Sequence, residues 1–304
     1  MMTGAMWALL AGAGFGMFQS LNRRAVQGMD VYLATFLQLF ISAVVLVAIT
    51  LLTVDLHILA NLPLMAILNF ALAGFFHFFI GWTFLNTSQK LIGASRTSPL
   101  IGSTPLFGAG LAALTLGEFP SWLSYIGIFL MIAGVIVIST YTNGGANGSP
   151  SDRKGVIPAG WRDSLNGLAA ALCWAISPIF IRQGLKDLPS PLLGVTIGIL
   201  ASVLAYGVLL YLRRGQRLFS STTRDALFFK IMAGVLVGLS TWIRWIALDL
   251  TSVASVLALS LVSIPVVIIL SPFIVGRQLE RITKTLLAGA ALIIAGALLL
   301  IYIS

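Results

Sequence analysis

The chain has 304 residues, 59% hydrophobic and only 9% charged, with a net charge of +9 and a mean hydropathy of +1.02. Soluble domains carry about 25% charged residues, so a water-bathed globule is excluded, and the cations end apolar runs rather than forming a patch for nucleic acid. The single cysteine, Cys173, lies in an apolar segment, which excludes an internal disulfide.

Six stretches (31–54, 56–89, 97–117, 119–151, 188–212 and 250–276) contain no Asp, Glu, Lys or Arg. Each is long enough to cross a hydrocarbon core, which needs roughly 20 apolar residues. The expected fold is therefore an all-α integral membrane protein with ten spanning helices: 3–22, 31–54, 64–88, 94–116, 121–141, 165–184, 190–212, 227–248, 252–275 and 284–303.

The first segment runs without a cleavage pattern into Asn22-Arg23-Arg24 and reads as a span rather than a removable leader. It carries Phe15 and Gln19 on one face; Gln19 both donates and accepts, which suits a polar ligand or an interhelical hydrogen bond. In the second segment, Thr35, Gln38 and Ser42 form a stripe that reads as interhelical glue. The third places His77 amid Phe75, Phe76, Phe78 and Phe79, with Trp82 beyond; His77 is either a proton-coupling group or a neutral core histidine. The fourth offers Arg96 and, seven residues on along the same face, Ser103, followed by Pro105. The fifth has Gly127 and Gly134 two turns apart.

Residues 142–163 are rich in Gly, Asn and Ser and read as a flexible linker between a first repeat (1–141) and a second (164–304). In the sixth segment Trp174 and Ser177-Pro178 occupy positions matching Phe15 to Gln19. The eighth contains Arg244 between Trp242 and Trp245. A charge at that depth costs about 2.5–3.5 kcal/mol, which points to a substrate carboxylate or phosphate, or to snorkelling and a pairing with Asp249. The ninth repeats the serine–proline pair as Ser263 and Pro265, and the tenth the glycine pair as Gly289 and Gly296.

The duplication is in register. Ala94-Ser95, Ser103 and Pro105 return as Ala254-Ser255, Ser263 and Pro265; Phe15 and Arg23 return as Trp174 and Arg182. Five spans per copy is odd, so the second copy enters the membrane from the opposite side, giving inverted repeats with a site near the midplane. Fifteen cations fall in the odd-numbered connections, Lys230 among them, against Arg182 and Lys186 in the even ones. That bias places the odd connections in the cytoplasm.

These paired patterns, with Leu116-Gly117-Glu118 answered by Leu279-Glu280 before each last helix, resemble the EamA-type half of the drug/metabolite transporter superfamily. The second copy has Leu279 where the pattern has glycine and two extra residues between Pro265 and Glu280. The resemblance implies ten helices in inverted repeats, a central cavity and movement of small solutes, usually outward. It also implies cytoplasmic termini, against the cation count.

No nucleotide-binding loop and no cluster of metal ligands occurs in the sequence, so neither a cofactor nor an enzyme is expected. The expected function is secondary transport of small organic solutes, such as amino acids or related metabolites bearing a carboxylate, by alternating access. The alternative is a lipid flippase on the same scaffold, using Arg96 and Arg244. Protons are a candidate coupling ion, the bilayer of a bacterial inner membrane the expected setting, and a monomer or homodimer the expected state.

Overall fold

A computed structural model describes residues 2–26, 29–55, 58, 61–92, 100–145, 161–212, 222–274 and 284–303, and these contain helices and no strand. In chain order the helices are α1 (Met2–Val26), α2 (Val31–Thr53), α3 (Leu64–Gly74), a π-helical segment (Phe75–Gly81), α4 (Trp82–Ile92), α5 (Thr104–Leu116), α6 (Trp122–Gly145), α7 (Trp161–Asp187), α8 (Pro191–Leu212), α9 (Arg224–Leu250), α10 (Val253–Leu259), a 3₁₀ turn (Ser260–Val262), α11 (Ser263–Ile274) and α12 (Lys284–Ile303). Seven of the described helices are long and apolar enough to cross a membrane, and Leu100–Leu116 and Trp122–Ile138 are shorter apolar helices. With no water in the hydrocarbon, helices satisfy their own backbone groups, and this is a multi-pass membrane protein.

Helix starts are fixed by local hydrogen bonds. The Asp30 carboxylate accepts from the amides of Tyr32 (2.9 Å) and Leu33 (3.1 Å), and the Thr223 and Ser252 hydroxyls accept from Ala226 and Ser255. Gly117, at φ +68°, ends α5 in the left-handed conformation that only glycine adopts without strain.

Three expected spans are not continuous α-helix. The ninth is broken by the 3₁₀ turn at Ser260–Val262, and the fourth has a turn at Ser103 before α5 opens at Thr104. In both, the break precedes a proline in the first helical turn, Pro105 or Pro265, where the missing N–H is not needed. The third span widens into the π segment, bounded by Gly74 and Gly81. Pro178, by contrast, is accommodated inside α7.

Glycines set the closest helix contacts. α6 and α12 run antiparallel: Gly127 faces Gly296 and Gly134 faces Gly289, so that a methyl on Gly134 would lie 2.5 Å from the Gly289 carbonyl. α3 crosses α8 at Gly74 and Gly198, where the two backbones touch. Gly14 lies against Ser240 and Gly4 against Thr251, which packs α1 antiparallel along α9; Gly16 meets the Ser263 carbonyl of α11. The Ser42 hydroxyl of the predicted glue stripe donates to the Gly234 carbonyl at 2.7 Å, between α2 and α9.

One assignment is corrected. Lys230 does not belong to a connection: it lies inside α9, 1% exposed, and bonds across to α1 and α2.

The glycine contacts generate a prediction. Gly134→Ala should destabilise the protein by about 1–3 kcal/mol, the usual range for overpacking, whereas Gly110→Ala, at a position with open space around it, should be neutral. Thermal unfolding of the two purified variants in the same detergent checks this.

Candidate functional site

The π segment presents its groups to α7. A π turn bonds its carbonyls five residues on instead of four, and the His77 carbonyl also accepts from Trp174 Nε1 at 3.1 Å. The His77 ring stacks on the Trp174 indole at 5.6 Å between centroids and 23° between planes, while its Nδ1 is 3.0 Å from Ser177 Oγ. Gly81 leaves room for the indole: a side chain there would strike Trp174 Nε1. Trp82 meets Trp174 edge-on at 6.3 Å and Phe18 at 5.9 Å. Residues of α1, the π segment, α4 and α7 thus form one aromatic box with His77 and Trp174 at its centre.

Arg244 reaches this box from α9. It is 8% exposed and lies near His77. Its Nε and Nη2, and Trp82 Nε1, are buried donors without a hydrogen-bond partner among the described residues. Asp249 does not answer Arg244 there: it is exposed, and five residues put it off the arginine's face. Nearly every buried donor in a protein is paired, and a buried guanidinium edge with two free N–H groups is costly. The same molecule shows what this edge accepts: on the α1–α9 surface, Arg24 uses Nε and Nη2 to hold the two oxygens of Asp225, at 3.1 and 3.3 Å.

Above the box, toward the connections after α5 and α7, a cavity of about 350 Å³ is lined by Leu116, Glu118, Arg182, Leu185, Lys186 and Asp249. Its polar wall is a network. Glu118 accepts from Arg182 Nη2 at 2.5 Å and, through its second oxygen, from the Val253 amide at 2.9 Å. Arg182 Nη1 donates to the Leu248 carbonyl at 2.7 Å. One ion pair therefore ties together the α5–α6 turn, α7, the end of α9 and the start of α10.

The other expected residues are dispersed. Phe15 is half-buried against the cluster of Phe18, Ala233 and Val237, on which Trp82 of the box also packs. Gln19 is exposed on α1, and Trp242 packs at the edge of the main core. Ser103 is half-buried with its hydroxyl on the Leu100 carbonyl (2.5 Å), and Ser263 is buried at the start of α11 against α1; both mark helix breaks. Arg96 lies outside the described residues. Trp245 is core, packed on Phe70 at 5.6 Å. Sequence reading missed Phe18, the Lys230 contacts and the Glu118–Arg182 pair. The recurrence of Arg23 as Arg182 and of Glu118 as Glu280 was a signal for the last.

Comparison with known proteins agrees with this architecture. The model of the EamA-like transporter family matches twice, over residues 2–140 and 163–302. A solved crystal structure of a protein superposes with a TM-score of 0.71 at 18% identity, covering 98% of this chain and 94% of that one, a likeness of fold. No curated protein matches. The chain belongs to the EamA-like transporter family, within the drug/metabolite transporter superfamily, and is a membrane transporter.

The ion-pair network predicts a graded response. Glu118→Ala removes both the arginine's partner and the Val253 cap and should cost about 1–3 kcal/mol. Glu118→Gln keeps an acceptor for the amide and should cost less. Melting temperatures of the two variants in one detergent would show the order.

Proposed function

We propose that this protein carries small organic solutes bearing a carboxylate, amino acids or related metabolites among them, through a site at the His77–Trp174 box. The single observation that carries the reading is the unpartnered Nε–Nη2 edge of buried Arg244, matched in kind by the edge with which Arg24 holds Asp225. A planar carboxylate takes both donors at once. Trp82 Nε1 offers a further donor, and the faces and edges of Trp174, Trp82 and Phe18 suit an apolar or aromatic remainder. Phe15 and Trp242 border this region, while Gln19, Ser103 and Ser263 are left as contacts for other stages of the cycle.

The carrier would work by alternating access between two inverted five-helix repeats, residues 1–141 and 164–304. The α6–α12 contact supports this symmetry. Under the sequence repeat Gly127 corresponds to Gly289 and Gly134 to Gly296, so the contact 127–296 maps onto 289–134, which is the second contact observed. A two-fold axis in the membrane plane generates such a pairing. The site takes His77 and Trp82 from the first repeat and Trp174, Ser177 and Arg244 from the second, so rocking one repeat against the other would expose it to each side in turn. Without Lys230, fourteen cations (15 minus 1) still stand in the odd connections against two, which favours a cytoplasmic location for those connections; export from a bacterial cell is what the family resemblance favours.

Uptake into proteoliposomes of a radiolabelled panel of amino acids and aromatic and aliphatic carboxylates, each beside its amide, tests the proposal. Carboxylates should be preferred over their amides, and Arg244→Gln should reduce carboxylate transport by roughly ten- to a hundredfold, the equivalent of 1.5–3 kcal/mol for hydrogen bonds to a charged group. Equal transport of acid and amide, or an unaffected Arg244→Gln, would remove Arg244 from the site.

A further inference from the structure

A second buried cation has a different environment. Lys230, one turn and a half into α9, is 1% exposed. Its Nζ donates to Asn22 Oδ1 on α1 at 2.5 Å and to Gln38 Oε1 on α2 at 3.0 Å. Both acceptors are neutral amides, and no carboxylate pairs with it among the described residues. A neutral amine has two N–H donors, and both are used here. An ammonium has three, together with a full charge, and among the described residues this pocket supplies neither a third acceptor nor an anion. Inside a membrane protein such a lysine is a functional group by default, because an uncompensated charge there is expensive.

Other charges nearby are already committed. Arg24 on α1 is held by Asp225 at the head of α9, and also donates to the Ile274 carbonyl of α11 at 3.1 Å and covers the Phe229 ring at 4.2 Å. Asp30 at the head of α2 is occupied by two backbone amides. Arg224 is at the exposed first turn of α9. Lys230 sits where α1, α2 and α9 converge, immediately inside this Arg24–Asp225 contact.

We propose that the Lys230–Asn22–Gln38 cluster is the proton-binding site of the carrier, loaded from the odd-numbered-connection side. The closed packing seen here holds the free amine. Taking a proton from water converts it to an ammonium that this packing cannot satisfy, so protonation favours separation of α9 from α1 and α2, which admits water. Loss of the proton to water lets the three helices close again. This inference rests on the alternating-access reading and adds the coupling ion to it, at Lys230 rather than His77.

The test follows access to this contact in the full chain, reconstituted in liposomes and needing no solute. Cys173→Ala removes the native thiol, and Ala226→Cys, at a position 2% exposed beside Met29 and Ala34, reports opening. Labelling by an impermeant maleimide is measured from acid to alkaline pH and divided at each pH by the rate for the detergent-unfolded chain. With Lys230 present, normalised labelling should fall at least about fivefold as pH rises through the titration, a modest population shift. Lys230→Met should be labelled slowly at every pH, and Lys230→Arg, which stays charged, rapidly at every pH. A flat profile in the parent, or the same pH dependence in Lys230→Met, overturns the proposal; should Lys230→Arg not fold, the methionine variant decides. Failure of carboxylate transport with this profile intact would count against the solute reading alone.

Discussion

Inside hydrocarbon a polar group has only the protein, or a ligand, to bond with, and the organisation of this molecule follows from that constraint. Hydroxyls along the helices turn back to carbonyls four residues earlier, as Ser20, Thr83, Ser202 and Thr241 do. Others cross between helices, as Ser42 does to Gly234. Arg182, at the boundary, is surrounded by a carboxylate and two carbonyls. Against this economy, the guanidinium edge of Arg244, the indole N–H of Trp82, Gln38 Nε2 and Thr222 Oγ1 are buried without a partner among the described residues, and the first two are the ones the proposed site gives to a ligand.

The scaffold and the chemistry obey different symmetries. Glycine pairs repeat across the two halves because close backbone approach is a requirement of each packing contact, whatever the cargo. The site does not repeat: in the register that sets Ala94 against Ala254, His77 stands opposite Val237 and Arg244 opposite Phe84. On the proposed reading, a single asymmetric solute between two similar halves needs one anion clamp, not two. Its position between α9 and the π segment places it on groups drawn from both repeats.

Much of this was legible in the sequence. Long charge-free runs gave the helices, and the paired spacing of Ser103-Pro105 with Ser263-Pro265 pointed at special positions in two of them. What spacing did not reveal was that these prolines begin a helix after a break, because periodicity is the same on both sides of it. The π segment was equally hidden, since one inserted residue per turn leaves an apolar run apolar; its trace is the Gly74–Gly81 frame around four phenylalanines and His77. Arg244 stood out because charge inside a span is rare. Lys230 did not, because near a helix end a lysine that flanks the membrane and one that turns inward have the same sequence context, and only the partners Asn22 and Gln38, 208 and 192 residues away, tell them apart.

The most direct measurement is an experimental structure of the protein in lipid with a transported carboxylate bound. The account predicts ligand density between the Trp174 indole and Arg244, with both carboxylate oxygens on Nε and Nη2. Density elsewhere, with that guanidinium edge taken by a carboxylate of the protein itself, would contradict it.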